Sequence, residues 1–272
     1  MAEPLNPSAD LLRLGAGSLY FDRGFTGAFR HLGNVDTLEP TTTPDILTRR
    51  SSMTRTRPIR KRLARQIDVV WRAVGDEWNA DNLALLMMGD VTYATQAATP
   101  VVDQVLVADV ATGTLGAALG GRYIYVGALN IDTVSFELGG SALTSADVIV
   151  SNAQMGLAYV LPTSTVATDG AKDLTVSFTP QAITGTDSPV VRGGTTPFIN
   201  GAMLFIEDNQ AGLNHVWRGW NASIAPDGAF GLISDDWNTF ALNFTLQDDS
   251  EGDHGGTPDN PLYYSQLVPD PA

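Results

Sequence analysis

The sequence predicts a mainly β fold, a sandwich or barrel with one short helix beside it. Three observations carry this. Runs rich in Val, Ile, Thr and aromatic residues recur between Gly, Pro and Asp turn residues, and only one segment has helical spacing with caps. The composition, 43% hydrophobic and 17% charged over 272 residues, supplies a sizeable core. With no cysteine, stability must come from packing and from subunit contacts.

The elements follow in order. Residues 1–15, with Pro4 and Pro7, read as an N-terminal arm. Ser18–Arg23 is a strand, Gly24–Gly27 a turn and Ala28–Gly33 the return of a first hairpin. The polar stretch 41–60 has no apolar period and reads as a long loop, ordered on assembly. From Leu63 onward Leu63, Ile67, Val69 and Trp71 share one parity, the mark of a half-buried strand.

Asn79 is an N-cap, Asp81 sits in the first turn where the helix dipole favours an anion, and Gly89 is a C′ stop, giving a helix over about 80–88. Leu83, Leu86 and Met87 would form its docking face, since so short a helix needs a sheet to lie on. Further strands are expected at 105–110, 122–126, 131–138, 147–151, 174–183, 202–207, 216–224 and 239–247. The core domain thus spans 16–247, and 91–195 reads either as part of it or, in part, as an insertion. Residues 248–272, acidic and rich in Gly and Pro, read as a C-terminal arm.

The net charge of −14 is unevenly spread. Residues 1–72 hold 12 Lys/Arg against 7 Asp/Glu, a balance of +5, and residues 73–272 hold 4 against 23, a balance of −19. Between copies this offers head-to-tail complementarity, which guides encounter and register. Neither a signal-peptide h-region nor an apolar run long enough to span a bilayer is visible, so the expectation is a cytosolic product without membrane insertion.

Motifs for catalysis are missing: no G-x-S-x-G elbow, P-loop, H-E-x-x-H or dinucleotide fingerprint. The glycines from Gly113 to Gly121 lack a following Lys-Ser/Thr and read as a turn-rich connection. Asp235 and Asp236, adjacent in sequence, point opposite ways on a strand and fit a loop better than a carboxylate pair. Asp248, Asp249, Glu251 and Asp253 depart from the calcium-loop pattern, and His31, His215 and His254 are scattered. Trp217, Trp220, Trp237 and Phe240 suggest an aromatic platform, but Trp217 and Trp220 have opposite parity, which favours core or interface packing.

The basic segment is the feature that most demands a role. Arg49, Arg50, Arg55, Arg57, Arg60, Lys61, Arg62 and Arg65 are 8 of the 16 cationic residues. Phosphate binding, a solvated loop and docking onto an acidic face of another copy compete. No aromatic is interleaved, and the chain itself supplies the opposite charge, which favours the last.

Several segments resemble the tail tube (major tail) proteins of long-tailed bacteriophages, in the order of that family. Gly15–Phe21 followed by Arg30–Asn34 looks like the opening hairpin with its "LGN" turn, and Leu47–Met53 like the Ser/Arg-rich loop. Trp78–Gly89 is similar to the "x-ENLALxLLG" helix, with Asp81 in place of the glutamate. Asp147–Gly156 looks like "DYxVD…G", with Val148 replacing the aromatic. Ala202–Asn209, Ala225–Gly228 and Leu232–Trp237 resemble the C-terminal part, so the likeness spans roughly 15–245.

The resemblance implies a tail-tube-type β-sandwich or barrel with extended arms, a structural virion protein without catalytic residues or cofactor. It implies hexameric rings stacked into a hollow tube that delivers DNA, assembled in the host cytoplasm. Related architecture occurs in type VI secretion tubes. The implied partners are further copies, the tape measure protein, tail-terminator and initiator proteins, and DNA in non-specific passage. The eight cations of the basic segment would bridge rings, and a carboxylate-rich lumen would let DNA slide, with Asp68 as a lumen-facing candidate. Two other classes stay open: a monomeric carbohydrate-binding sandwich using the Trp217–Trp237 aromatics, and a glycoside hydrolase using Asp235 or Asp236.

Overall fold

The computed structural model describes residues 12–111 and 113–268. The chain begins β1 (Gly17–Arg23), β2 (Arg30–His31), β3 (Val35–Arg50), β4 (Ile59–Gly75), α1 (Ala80–Leu86) and β5 (Asp90–Tyr93). It continues β6 (Val101–Val110), β7 (Gly113–Thr114), α2 (Leu115–Leu119), β8 (Tyr123–Tyr125), β9 (Ile131–Leu138), β10 (Ser141–Ala142), β11 (Val148–Asn152) and β12 (Leu157–Val160). Last come β13 (Ala167–Thr168), β14 (Lys172–Pro180), β15 (Pro189–Arg192), β16 (Ile199–Glu207), β17 (His215–Pro226), β18 (Phe240–Leu246) and β19 (Tyr263–Leu267). The fold is mainly β, as the sequence predicts.

Two compact units divide the chain. One holds everything up to Thr92 and from Val191 onward, and the other is Tyr93–Val190. β5 and β15 pair with each other where the chain passes between them.

The first unit is an eight-stranded sheet in the order β2-β1-β16-β17-β18-β4-β3, with β19 also on β17. All its pairings are antiparallel. Strict alternation produces its core: the inner half of β4 buries Val69, Trp71 and Ala73 with half-buried residues between, and β18 buries Phe240, Leu242 and Phe244. Leu19, Phe21, Ile199, Met203 and Ile224 belong to the same cluster. Asp22, itself buried, organises the first turn by accepting from Thr26 N (2.9 Å), Thr26 Oγ1 (2.7 Å) and Gly27 N (2.8 Å).

Helix α1 lies on β17 and β18. Its N-cap is Asn79, whose side chain accepts from Asn82 N at 2.8 Å. The docking face agrees with the expected one in part: Leu86 is buried and Leu83 packs half-buried against the core, but Asn82, Ala84 and Leu85 are buried as well and Met87 is only half-buried. The buried amide of Asn82, donating to the carbonyls of Leu32 (2.8 Å) and Glu77 (2.9 Å), turns the helix onto that stripe. The stop also differs. Met88, at φ +49, takes the left-handed C′ position, and Gly89 N closes the motif on Ala84 O (2.8 Å). Gly89 is needed for a different reason: a Cβ there would overlap the Arg192 carbonyl.

The second unit has its own core of Val110, Leu115, Phe136, Leu138, Val160, Leu174, Val176 and Phe178. Its sheets are β10-β9-β14-β6, β11-β12-β8 and β13-β7. The segment Gly113–Gly121, read as a turn-rich connection, contains helix α2. Leu115 is buried, and Gly116 lets the turn approach the Pro162 and Ser164 carbonyls more closely than a Cβ permits.

The arms are more ordered than expected where they are described. Most of 1–15 lies outside the described residues. Leu12–Leu14 are held by Asn209, which donates to Leu12 O (3.0 Å) and accepts from Leu14 N (2.9 Å), and by an Arg13–Glu207 ion pair. In 248–268, Asp249 accepts from His254 N and Gly256 N, closing a loop that leads into β19 on the main sheet. Backbone pairing, invisible to charge and Gly/Pro content, makes this an integral strand.

Candidate assembly surface

The stretch 41–60, expected to be a long loop, is the outer part of a β-hairpin. Strand β3 continues to Arg50, Ser51 N closes the turn on Pro58 O (2.8 Å), and β4 starts at Ile59. The apolar period is missing because neither face of this outer half is covered, so ladder hydrogen bonds and the extended preference of Thr41, Thr42, Thr43, Ile46 and Thr48 set its conformation. β3 is the sheet edge, which is why it tolerates Pro40 and Pro44.

Register shows where each side chain goes. Thr42 stands opposite Val69, Pro44 opposite Ile67, Ile46 opposite Ala64, Thr48 opposite Arg62 and Arg50 opposite Ile59. These pairs continue outward the face that carries Val69 and Trp71 in the core. The other face carries Asp68 opposite Thr43, Asp45 opposite Gln66, Leu47 opposite Leu63 and Arg49 opposite Lys61. The register skips Arg65 and later Arg60, so each is a bulge residue on β4. The Arg65 bulge moves Leu63 off the face of Ile67 and Val69, which corrects the single parity read from sequence.

Burial ends abruptly along β4. Val69 is 1% exposed and Ile67, two residues outward, 56%. Leu63 and Ile67, expected in a half-buried strand, are thus exposed, together with Ile46, Leu47, Met53 and Ile59. Sequence reasoning missed this apolar set because it assigned the residues to a loop or to the core. A readable signal was the Thr-rich run with two prolines, which marks an edge strand.

All eight predicted cations, Arg49, Arg50, Arg55, Arg57, Arg60, Lys61, Arg62 and Arg65, lie on this hairpin and are exposed. Arg65 pairs with Asp45, its Nε donating to Oδ2 at 2.9 Å. Asp68 is exposed where the hairpin leaves the sheet and accepts from Gln66 Nε2 at 3.0 Å.

The other candidate sites disperse. Trp217 packs edge-on to Trp71 (6.0 Å between centroids), Trp220 lies against Tyr264 (5.3 Å), Phe240 is in the core beside Trp78, and Trp237 is exposed. Asp235 and Asp236 are exposed in the loop between β17 and β18. Among the described residues no group of His, Asp and Glu is arranged to hold a metal ion.

Each histidine has a local partner: His31 Nδ1 accepts from Gly33 N, His215 Nδ1 lies 3.2 Å from Glu207 Oε2, and His254 stacks on Phe25. An open groove of about 420 Å³ over Trp71 and Trp217 contains Glu207. Burial pushes that carboxyl up, but hydrogen bonds and charge from Arg13, with further bonds from His215, hold it below its ordinary range. Both its oxygens are engaged.

Residues 13–257 match the model of a family described as "Protein of unknown function UCP028589", and the chain belongs to that family. No curated protein matches the chain.

Proposed function

We propose that this member of a family of unknown function is a self-assembling structural subunit of the tail-tube type, forming stacked, hexameric rings around a channel for DNA. The observation that carries the reading is the β3–β4 hairpin. The inner half of β4 is core, and the outer half of the hairpin continues the same face with Ile67, Ile46 and Ile59 uncovered and eight cations around them. A subunit that exposes a continuation of its own core has an apolar surface suited to a partner. The charge of the remaining chain makes another copy a fitting one.

In this reading the subunit has no catalytic residue or cofactor. Its further partners are the tape measure, tail-terminator and initiator proteins, and its place is the virion tail. The acidic excess repels phosphate, so DNA passes without sticking, and Asp68 is the lumen-facing candidate.

Negative-stain electron microscopy of the purified protein across a concentration and salt series tests this. Rings or hollow tubes are the expected result. A monomer at every condition that binds glycans would overturn it in favour of the carbohydrate-binding class. Replacing Arg49, Arg50, Arg55 and Arg57 with Ser should leave the subunit folded and weaken stacking. Unchanged tube length and salt resistance in that variant would remove the arginines from the contact.

A further inference from the structure

We propose that the acidic end of the sheet opposite the hairpin tip is the receiving surface for the hairpin of a second copy, so that subunits add head to tail with one polarity. The inference rests on the self-assembly reading and names the partner surface within it.

Three segments meet at the inner end of β4. Val35, which starts β3, and Phe240, which starts β18, both stand opposite Gly75. Residues 33–36, 76–79 and 227–239 therefore share this pole. They contribute Asp36, Asp76, Glu77, Asp227, Asp235 and Asp236, and contain no Lys or Arg. The basic tip lies at the other end of the same strand.

The loop 227–239 is held in place yet turns large apolar side chains outward. Trp78 Nε1 donates to Asn238 O at 2.8 Å, and the Trp78 ring contacts Phe230 and Phe240. Asp227 is fixed by Arg72 and by Asn243. On this anchored loop Leu232 is 80%, Ile233 96% and Trp237 90% exposed. No described residue of their own unit covers these three, and Asp235 and Asp236 lie between them in sequence.

The hairpin is the counterpart in both respects. It presents exposed Met53, Ile59, Leu47 and Leu63 amid cations, where the pole presents Leu232, Ile233 and Trp237 amid carboxylates. The two surfaces are separated by the 17 residues of β4, about 55 Å of strand, so a tip cannot fold back onto its own pole. Two complementary patches at opposite ends of one subunit form a heterologous contact, which propagates rather than closing as a dimer. A lipid surface suits the pole less well, because its carboxylates are repelled by anionic headgroups.

The absence of native cysteine makes the test direct. Full-length Met53→Cys, carrying a size tag, is mixed with untagged Ile233→Cys under mild oxidation, with Tyr123→Cys as an exposed control in the other unit. The expected result is a mixed adduct exceeding either homodimer and the control several-fold. Asp235→Arg with Asp236→Arg on the receiver should abolish it, and Arg49→Asp with Arg50→Asp on the hairpin should restore it in part.

Assembly seen by sedimentation without an excess of the mixed adduct would overturn this surface and leave the tube reading standing. Absence of assembly would overturn both. An excess of Ile233 homodimers would replace the contact by pole on pole. Flotation with phosphatidylcholine vesicles that requires Leu232, Ile233 and Trp237 would replace it by a membrane.

Discussion

Alanine at two neighbouring positions of β4 should have opposite effects on folding and on assembly. Val69 is 1% exposed and Ile67 56%, although both lie on the same face. Val69→Ala removes two buried methyl groups, which at about 0.8 kcal/mol per group plus a residual cavity amounts to about 2 kcal/mol of lost stability. Ile67→Ala should change subunit stability by less than about 0.5 kcal/mol, the usual range for an exposed site. Urea unfolding at dispersing protein concentration, read by tryptophan fluorescence, resolves the difference as a midpoint shift of about 1 M. Trp71, Trp78, Trp217, Trp220 and Trp237 are all in the first unit, so the signal reports on that unit alone.

Assembly inverts the ranking. Burying the exposed half of an isoleucine against a second copy contributes about 1 kcal/mol, so Ile67→Ala should lower association roughly five-fold per contact in sedimentation. Equal destabilisation by the two substitutions would show that the outer hairpin packs within its own subunit. Unaltered assembly of Ile67→Ala would exclude this face as a contact.

Three further outcomes follow from the same sheet. Asn79→Ala removes the side chain that caps α1 and should cost about 1 kcal/mol in the same urea titration. Gly89→Ala places a methyl group on the Arg192 carbonyl and should destabilise by about 2 kcal/mol or more, with a lowered thermal midpoint. Burial pushes the Asp22 carboxyl up, but the bonds from Thr26 and Gly27 outweigh it and leave the folded value below the unfolded one. Its stabilisation is therefore complete above about pH 4 and lost as pH falls through the folded value. Asp22→Asn should lower the urea midpoint at pH 7 and reduce the decline between pH 4 and pH 3, and an unchanged acid profile would refute that assignment.

The amino-acid sequence by itself determined the β class, the cap and the approximate span of α1, and counterparts to all eight later strand runs, because each is written in local chemistry. Alternation marks a strand wherever one face is buried, and Asn79 caps whatever helix follows it. Half of the cations fall within Arg49–Arg65, a matter of counting. Tertiary structure decided the rest. The outer hairpin has no buried face, so periodicity is silent there and only pairing with β4 shows it to be a strand. A bulge at Arg65, set by register, moves Leu63 to the opposite side. The buried Asn82 amide rotates α1 onto Leu85 and Leu86, and β19 joins β17 across more than forty residues of chain. These are contacts between segments distant in sequence, and their energies depend on which surfaces the fold brings together.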